Sequence, residues 1–131
     1  MKFVLLALFS ALLLWAGVPT ALAAGEGVVV EHLRVRVPEG AEQAWLEAER
    51  GSWEPWLARQ PGFLDRQILW DPERHEATLL IHWRSREQWK AIPAREVQAV
   101  QQRFEQLARQ GTGEDRDNPF PLLFEGELLP Q

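Results

Sequence analysis

Alternating and helical stretches take turns along the chain. Val28 to Val37 alternates, with Leu33, Val35 and Val37 on one face and His32, Arg34 and Arg36 on the other. Period two in a β-branched stretch predicts a strand. Pro38-Glu39-Gly40 is a turn. Ala41 to Gln60 places Ala41, Trp45, Ala48, Ser52 and Trp56 on one stripe, with Leu46, Trp53 and Leu57 beside it. That spacing predicts a helix, with a kink at Gly51-Ser52 and a fresh turn at Pro55. Pro61-Gly62 stops it. Phe63 to Trp70 is a second strand, Asp71 to Arg74 a turn, and His75 to Arg84 a third strand. The third strand sets Ala77, Leu79, Ile81 and Trp83 against Thr78, Leu80, His82 and Arg84. So short a connection predicts an antiparallel hairpin.

Ser85 can cap a helix, with Gln88 at the capping-box position. Pro93 opens a longer helix to about Arg109, with Val97, Val100, Phe104 and Leu107 as its apolar stripe. After a polar loop, Pro121 to Leu129 reads as a last strand with Leu122, Phe124 and Leu128 on one face. The order β-α-β-β-α-β predicts an α+β, ferredoxin-like fold. Two helices cover one face of a four-stranded sheet. The other face is expected to carry Leu64, Ile68 and Trp70 among His32 and His82, which is too apolar for open water. A dimer packed sheet to sheet answers this.

The N-terminus follows a different pattern. Lys2 precedes an apolar run from Phe3 to Trp15 that only Ser10 interrupts. Gly17 and Pro19 break it, and Ala21-Leu22-Ala23 is a small-x-small site. This is the layout of a cleaved secretory signal, and the core is short for a membrane span. Residues 1–23 are therefore expected to be removed. Residues 24–131 are expected to form one domain outside the cytoplasm, in a periplasm, a lumen or the medium. No second apolar run reaches spanning length.

Composition then narrows the function. The 131 residues are 46% hydrophobic and 25% charged, an ordinary globular balance, and contain no cysteine. Disulfides, thiolate nucleophiles and cysteine zinc sites are excluded. The net charge is −5, and losing Lys2 with the signal makes it one unit more negative. That balance disfavours nucleic acid and anionic membranes as partners.

The middle of the chain carries a family likeness. Gln60-Pro61-Gly62-Phe63-Leu64, followed by Leu80-Ile81-His82-Trp83-Arg84-Ser85-Arg86-Glu87-Gln88-Trp89, resembles signatures of the antibiotic biosynthesis monooxygenase-like, dimeric α/β-barrel superfamily. With Glu31-His32-Leu33 and Lys90-Ala91-Ile92-Pro93, the chain is similar to a small, mainly cyanobacterial branch of it. The resemblance implies a homodimer whose two sheets face each other. It implies no reaction, because the superfamily includes monooxygenases, haem-degrading enzymes, other enzymes and members of unknown role. The haem-degrading pattern also needs a Trp and a His on the helices after the third strand. Residues 91–104 contain neither.

Candidate chemistry is sparse. His32 and His82 fall on the two strands expected to be central, opposite each strand's main apolar set. Paired imidazoles can hold a metal or move protons. Alternatively they are polar residues of a dimer interface, bonded to Glu31, Gln67 or Arg34. Two histidines without an adjacent carboxylate motif are a weak metal signal, and no metal is expected. His75 is expected to be exposed. Trp45, Trp53 and Trp56 on the first helix can wall a pocket for a flat ligand, or simply fill the core. A pocket would lie between that helix and the sheet, with His32 and His82 as its polar contacts unless they face the dimer interior. Glu47 and Glu49, like Glu114, Asp115 and Asp117, fall on expected solvated positions. No phosphate loop, nucleophile elbow or other catalytic or cofactor motif is present, so no cofactor is expected and the catalytic residues are unassigned. Two functions stand. One is an exported dimer that binds a small apolar or aromatic ligand, or a partner. The other is a cofactor-independent monooxygenase-like enzyme acting on an aromatic or quinone-like compound.

Overall fold

A computed structural model describes residues 27–131. The expected signal segment lies outside the described residues. The elements run β1 (Val29–Arg36), α1 (Glu42–Arg50), α2 (Trp53–Ala58), β2 (Phe63–Asp71), β3 (Glu76–Trp83), α3 (Arg86–Lys90), α4 (Ala94–Thr112) and β4 (Leu122–Leu128). The strands form one sheet in the order β2-β3-β1-β4, and every neighbouring pair is antiparallel. This is the ferredoxin-like α+β arrangement that the periodicity predicts.

Local chemistry sets the element ends. The first helical stretch breaks where expected. Gly51 closes α1, and Ser52 turns its hydroxyl back onto the Ala48 carbonyl at 2.6 Å before α2 begins. Ser85 caps α3 by accepting from the Gln88 backbone N–H at 3.1 Å. The reciprocal half of the capping box is missing, since Gln88 Oε1 is buried without a partner. Gly62 has φ +86°, in the left-handed region. A Cβ there would stand 2.7 Å from Gln88 Oε1 and 2.8 Å from Gln88 Cβ. The Pro61-Gly62-Phe63 turn thus packs directly onto α3.

Residues paired across antiparallel strands share a face. Ala77, Leu79, Ile81 and Trp83 all point to one side of β3 and are buried. Ala77 and Leu79 join Trp45 and Ala48 of α1, Phe104 and Ala108 of α4, and Phe120 in one core cluster. Ile81 and Trp83 join Val29 and Leu57 in a second. Helices and sheet therefore enclose two apolar clusters along a single face.

The opposite face differs from the one expected. The pairings of His32 with Leu80 and of Val30 with His82 put all four residues on it. Asp65, Gln67 and Leu69 of β2 join them, with Phe124 and Leu128 of β4. Ile68 and Trp70 do not, because they pair with Leu79 and Ala77 on the helix side. The cause is a bulge. β2 pairs Phe63 with Trp83 and then Asp65 with His82, so Leu64 is an extra residue and every later side chain changes face. A second irregularity, opposite Arg34 and Val35, puts Leu122 across from Val35 and away from Phe124.

Candidate functional site

A cavity of about 410 Å³ opens between the helix layer and the sheet. It is bounded by residues of both apolar clusters and lies on the sheet side of the first helical stretch. Trp45 of α1 and Trp53 and Trp56 of α2 all line it. Trp53 and Trp56 meet edge to face, with ring centroids 5.4 Å apart. Trp83 and Trp89 add a second aromatic wall, nearly parallel at 9° with centroids 6.3 Å apart. Core and pocket are not alternatives for these residues. Trp45 and Trp83 are buried cluster members that also face the cavity.

His32 and His82 are not brought to this cavity. The sheet separates them from it. On the far face His32 stacks obliquely on Phe124 at 5.0 Å, and the Arg34 guanidinium covers the same ring at 5.0 Å. Phe124 lies over Gly126, where any Cβ would come within 2.9 Å of the ring. His82 Nδ1 stands 3.0 Å from Asp65 Oδ1, a close approach that falls short of hydrogen-bond geometry. Neither histidine meets Glu31, whose side chain points the other way. His75 sits in the turn before β3 with φ +55°, half-buried. Among the described residues no three His, Asp or Glu side chains converge as a metal site requires.

The polar groups of the cavity are ones that sequence reasoning passed over. Arg66, Ile81, Glu31 and Glu127 pair in a row across the four strands and share the helix side of the sheet. Arg66 and Glu31 line the cavity floor on either side of Ile81. Arg66 donates through Nη1 to Glu49 Oε1, and its Nη2 lies 3.6 Å from Glu54. Glu49, expected on the surface, is instead buried on the cavity side of α1. Glu47 keeps its expected place outside, where it accepts from Gln43. Glu31 Oε1 accepts from Trp83 Nε1 at 3.1 Å. Burial holds the Glu31 and Glu49 carboxyls above the usual carboxylate range. Trp83 and Lys90 oppose this at Glu31, and Arg66 opposes it at Glu49. Trp53 Nε1 is satisfied by Gln101 of α4 at 3.1 Å. Trp45 Nε1 is buried without a partner and closed off from the cavity.

One signal for Glu31 was present in the sequence. It has the same parity as Leu33 and Val35 and so belongs to the core-facing stripe of β1. A lone carboxylate on such a stripe marks either a buried pair or a site. Arg66 carried a similar signal, since it shares parity with Ile68 and Trp70, and the Leu64 bulge obscured only which face that stripe takes. What the arrangement offers chemically is a flat aromatic slot lined by three carboxylates, Glu31, Glu49 and Glu125, with the paired Arg66 guanidinium and Lys90.

Comparison with known proteins agrees with this geometry. No curated protein matches the sequence. Among solved structures, SnoaB, a cofactor-independent oxygenase from Streptomyces nogalater, is 14% identical with a TM-score of 0.56, covering 80% of this chain and 94% of its own. The ActVA-Orf6 monooxygenase of Streptomyces coelicolor, solved with nanaomycin D, is 15% identical with a TM-score of 0.54, covering 82% and 90%. A protein from Shewanella loihica is 18% identical with a TM-score of 0.53, covering 81% and 96%. At these identities the likeness is one of fold. The sequence model for antibiotic biosynthesis monooxygenase matches residues 28–96, more than half of the chain, from β1 through α3 into α4. The chain belongs to the antibiotic biosynthesis monooxygenase family.

Proposed function

We propose that this protein is an exported, homodimeric member of its family that binds a small, flat, aromatic or apolar ligand in the cavity between sheet and helices. The observation that carries this reading is the cavity itself, about 410 Å³ and walled by Trp45, Trp53, Trp56, Trp83 and Trp89. Ligand sites are mostly apolar clefts of this size with a few fixed polar groups. The ActVA-Orf6 structure, solved with nanaomycin D bound, supports the ligand class. Export rests on the Lys2, Phe3 to Trp15 and Ala21-Leu22-Ala23 pattern. Dimerisation rests on the helix-free face of the sheet, where Leu69, Phe124 and Leu128 are exposed. No helix among the described residues is long and apolar enough to cross a membrane.

A second reading is cofactor-independent oxygenation of an aromatic or quinone-like compound. It is favoured by one feature, the two carboxylates with raised pKa beside an aromatic slot, Glu31 and Glu49. A carboxylate held above its ordinary pKa is a stronger base towards a substrate proton than a free one. Native mass spectrometry of protein purified from its own host tests the first reading. The expected result is a dimer, beginning near Ala24, that carries a small aromatic molecule. A ligand-free protein whose tryptophan fluorescence no flat aromatic compound quenches overturns it. Oxygen uptake that requires both the protein and a phenolic compound selects the second reading.

A further inference from the structure

Three carboxylates line the cavity: Glu49 is paired with Arg66, while Glu31 and Glu125 have no ion pair among the described residues, and of these two Glu125 is exposed and Glu31 is half-buried. Glu31 sits on the core-facing stripe of β1, between Val29 and Leu33, where an ionised group loses its water and gains little in return. The other charged residues of its row are committed elsewhere. Arg66 is held by Glu49 and Glu54. Glu127 takes both Arg86 Nε and Nη2 at 2.9 Å, and Lys90 Nζ lies 3.8 Å from it. Lys90 of α3 acts on Glu31 only through space, and Glu125 of β4 opposes it there. Trp83 fixes one oxygen of Glu31 by a 3.1 Å hydrogen bond. The second oxygen, Oε2, has no partner among the described residues and is not sealed off by them. A purely structural carboxylate would be paired on the model of Glu49. Glu31 is instead oriented on one side and open on the other, beside the parallel Trp83 and Trp89 rings.

We propose that Glu31 Oε2 is the hydrogen-bond acceptor for a hydroxyl of the ligand, so that the cavity selects flat aromatic compounds of the phenol or hydroquinone class. The inference rests on the ligand-binding reading of the cavity and specifies what that ligand carries. Lys90, over the face of Trp89 at 3.8 Å, supplies the positive potential near the bound oxygen. Trp83 is a positioning residue, since its indole N–H sets which carboxylate oxygen is free.

The test uses the mature protein and two probes, 1-naphthol and 1-methoxynaphthalene, which share a ring system and differ in the donor. Tryptophan fluorescence quenching reads both affinities. A hydrogen bond to a charged acceptor predicts that wild type prefers 1-naphthol by about tenfold or more. Glu31→Leu should abolish the preference, read as the ratio of the two affinities within that variant, while 1-methoxynaphthalene still binds. Glu31→Gln keeps a neutral acceptor and the same shape, and should show a preference reduced to about threefold. Naphthol affinity should also weaken as pH falls and Glu31 protonates. In Trp83→Phe that midpoint should move to higher pH, because a bond that favours the ionised form is gone. Equal affinity of wild type for both probes, or a preference that survives in Glu31→Leu, would overturn the proposal while leaving the aromatic cavity intact. Failure of both probes to bind wild type would overturn the cavity reading and this inference with it.

Discussion

Arg66 of β2 and Glu49 of α1 form an ion pair in which both side chains are almost fully buried, 8% and 6% exposed. The pair ties the edge of the sheet to the helix that walls the cavity. Burial raises the Glu49 pKa even with Arg66 beside it, so desolvation outweighs the attraction of its partner. A pair of this kind specifies geometry more than it adds stability.

Arg66→Met should therefore be strongly destabilising, on the order of 3 kcal/mol, because it strands a buried carboxylate. The double variant Arg66→Met, Glu49→Leu should recover most of that loss, since no charge is left unpaired. Urea unfolding of the two variants and wild type measures both values. A double variant no more stable than the single one would mean that the pair itself holds α1 to the sheet.

Gly62→Ala probes the turn that carries the family likeness. The left-handed backbone there disfavours any Cβ by about 1–2 kcal/mol. The Gln88 side chain adds a clash at 2.7 Å. The variant should lose at least that much stability, read by thermal unfolding. Pairing it with Gln88→Ala removes the Oε1 contact but keeps the Cβ at 2.8 Å, so it should recover only part of the loss.

How much of this was legible in the chain can be read from particular residues. The third strand's Ala77, Leu79, Ile81 and Trp83 alternate strictly, and all four are buried on one side. The break at Gly51-Ser52 and the Ser85 cap follow from local chemistry and were equally visible. Ile68 and Trp70 take the face opposite to the expected one because one unpaired residue, Leu64, reverses parity along β2. A bulge is a property of the pairing and leaves no mark on a single strand. Arg66 moves with Ile68 and Trp70 to the helix side, which brings it to Glu49 and buries both side chains. The tryptophan wall was legible from helical spacing. The separation of His32 and His82 from that wall follows from their parity, once the helices are known to cover the other face.

The helix-free face predicts a dimer that a single charge should disrupt. Leu80 lies on central strand β3, opposite His32 and beside Gln67. A buried glutamate at the centre of a packed interface has no partner and costs several kcal/mol. Wild type should sediment as a dimer at micromolar concentration, and Leu80→Glu as a folded monomer with the cavity fluorescence retained. Replacing both His32 and His82 with Ala should weaken the dimer and leave cavity ligands bound as before. Loss of ligand binding in that variant, with the dimer intact, would return the histidines to the site.

The last expectation concerns pH. The folded-state pKa of Glu31 is raised above its ordinary value of 4.5, chiefly by burial. The folded protein therefore holds a proton there that the unfolded chain releases. Below about pH 4.5 both states are protonated at this position, and the carboxyl costs the fold little. As pH rises through the raised folded pKa, the buried group ionises and stability is lost. Glu31→Gln has nearly the same shape and never ionises. It should be more stable than wild type at pH 7, and the advantage should shrink towards zero as pH approaches 4. Glu49 shifts in the same direction, but it is present in both proteins and cancels in the difference. Urea unfolding at pH 7 and pH 4 gives the two differences. An advantage that stays constant across this range would mean that Glu31 is not held in a desolvated position, and that its cavity oxygen already meets water freely.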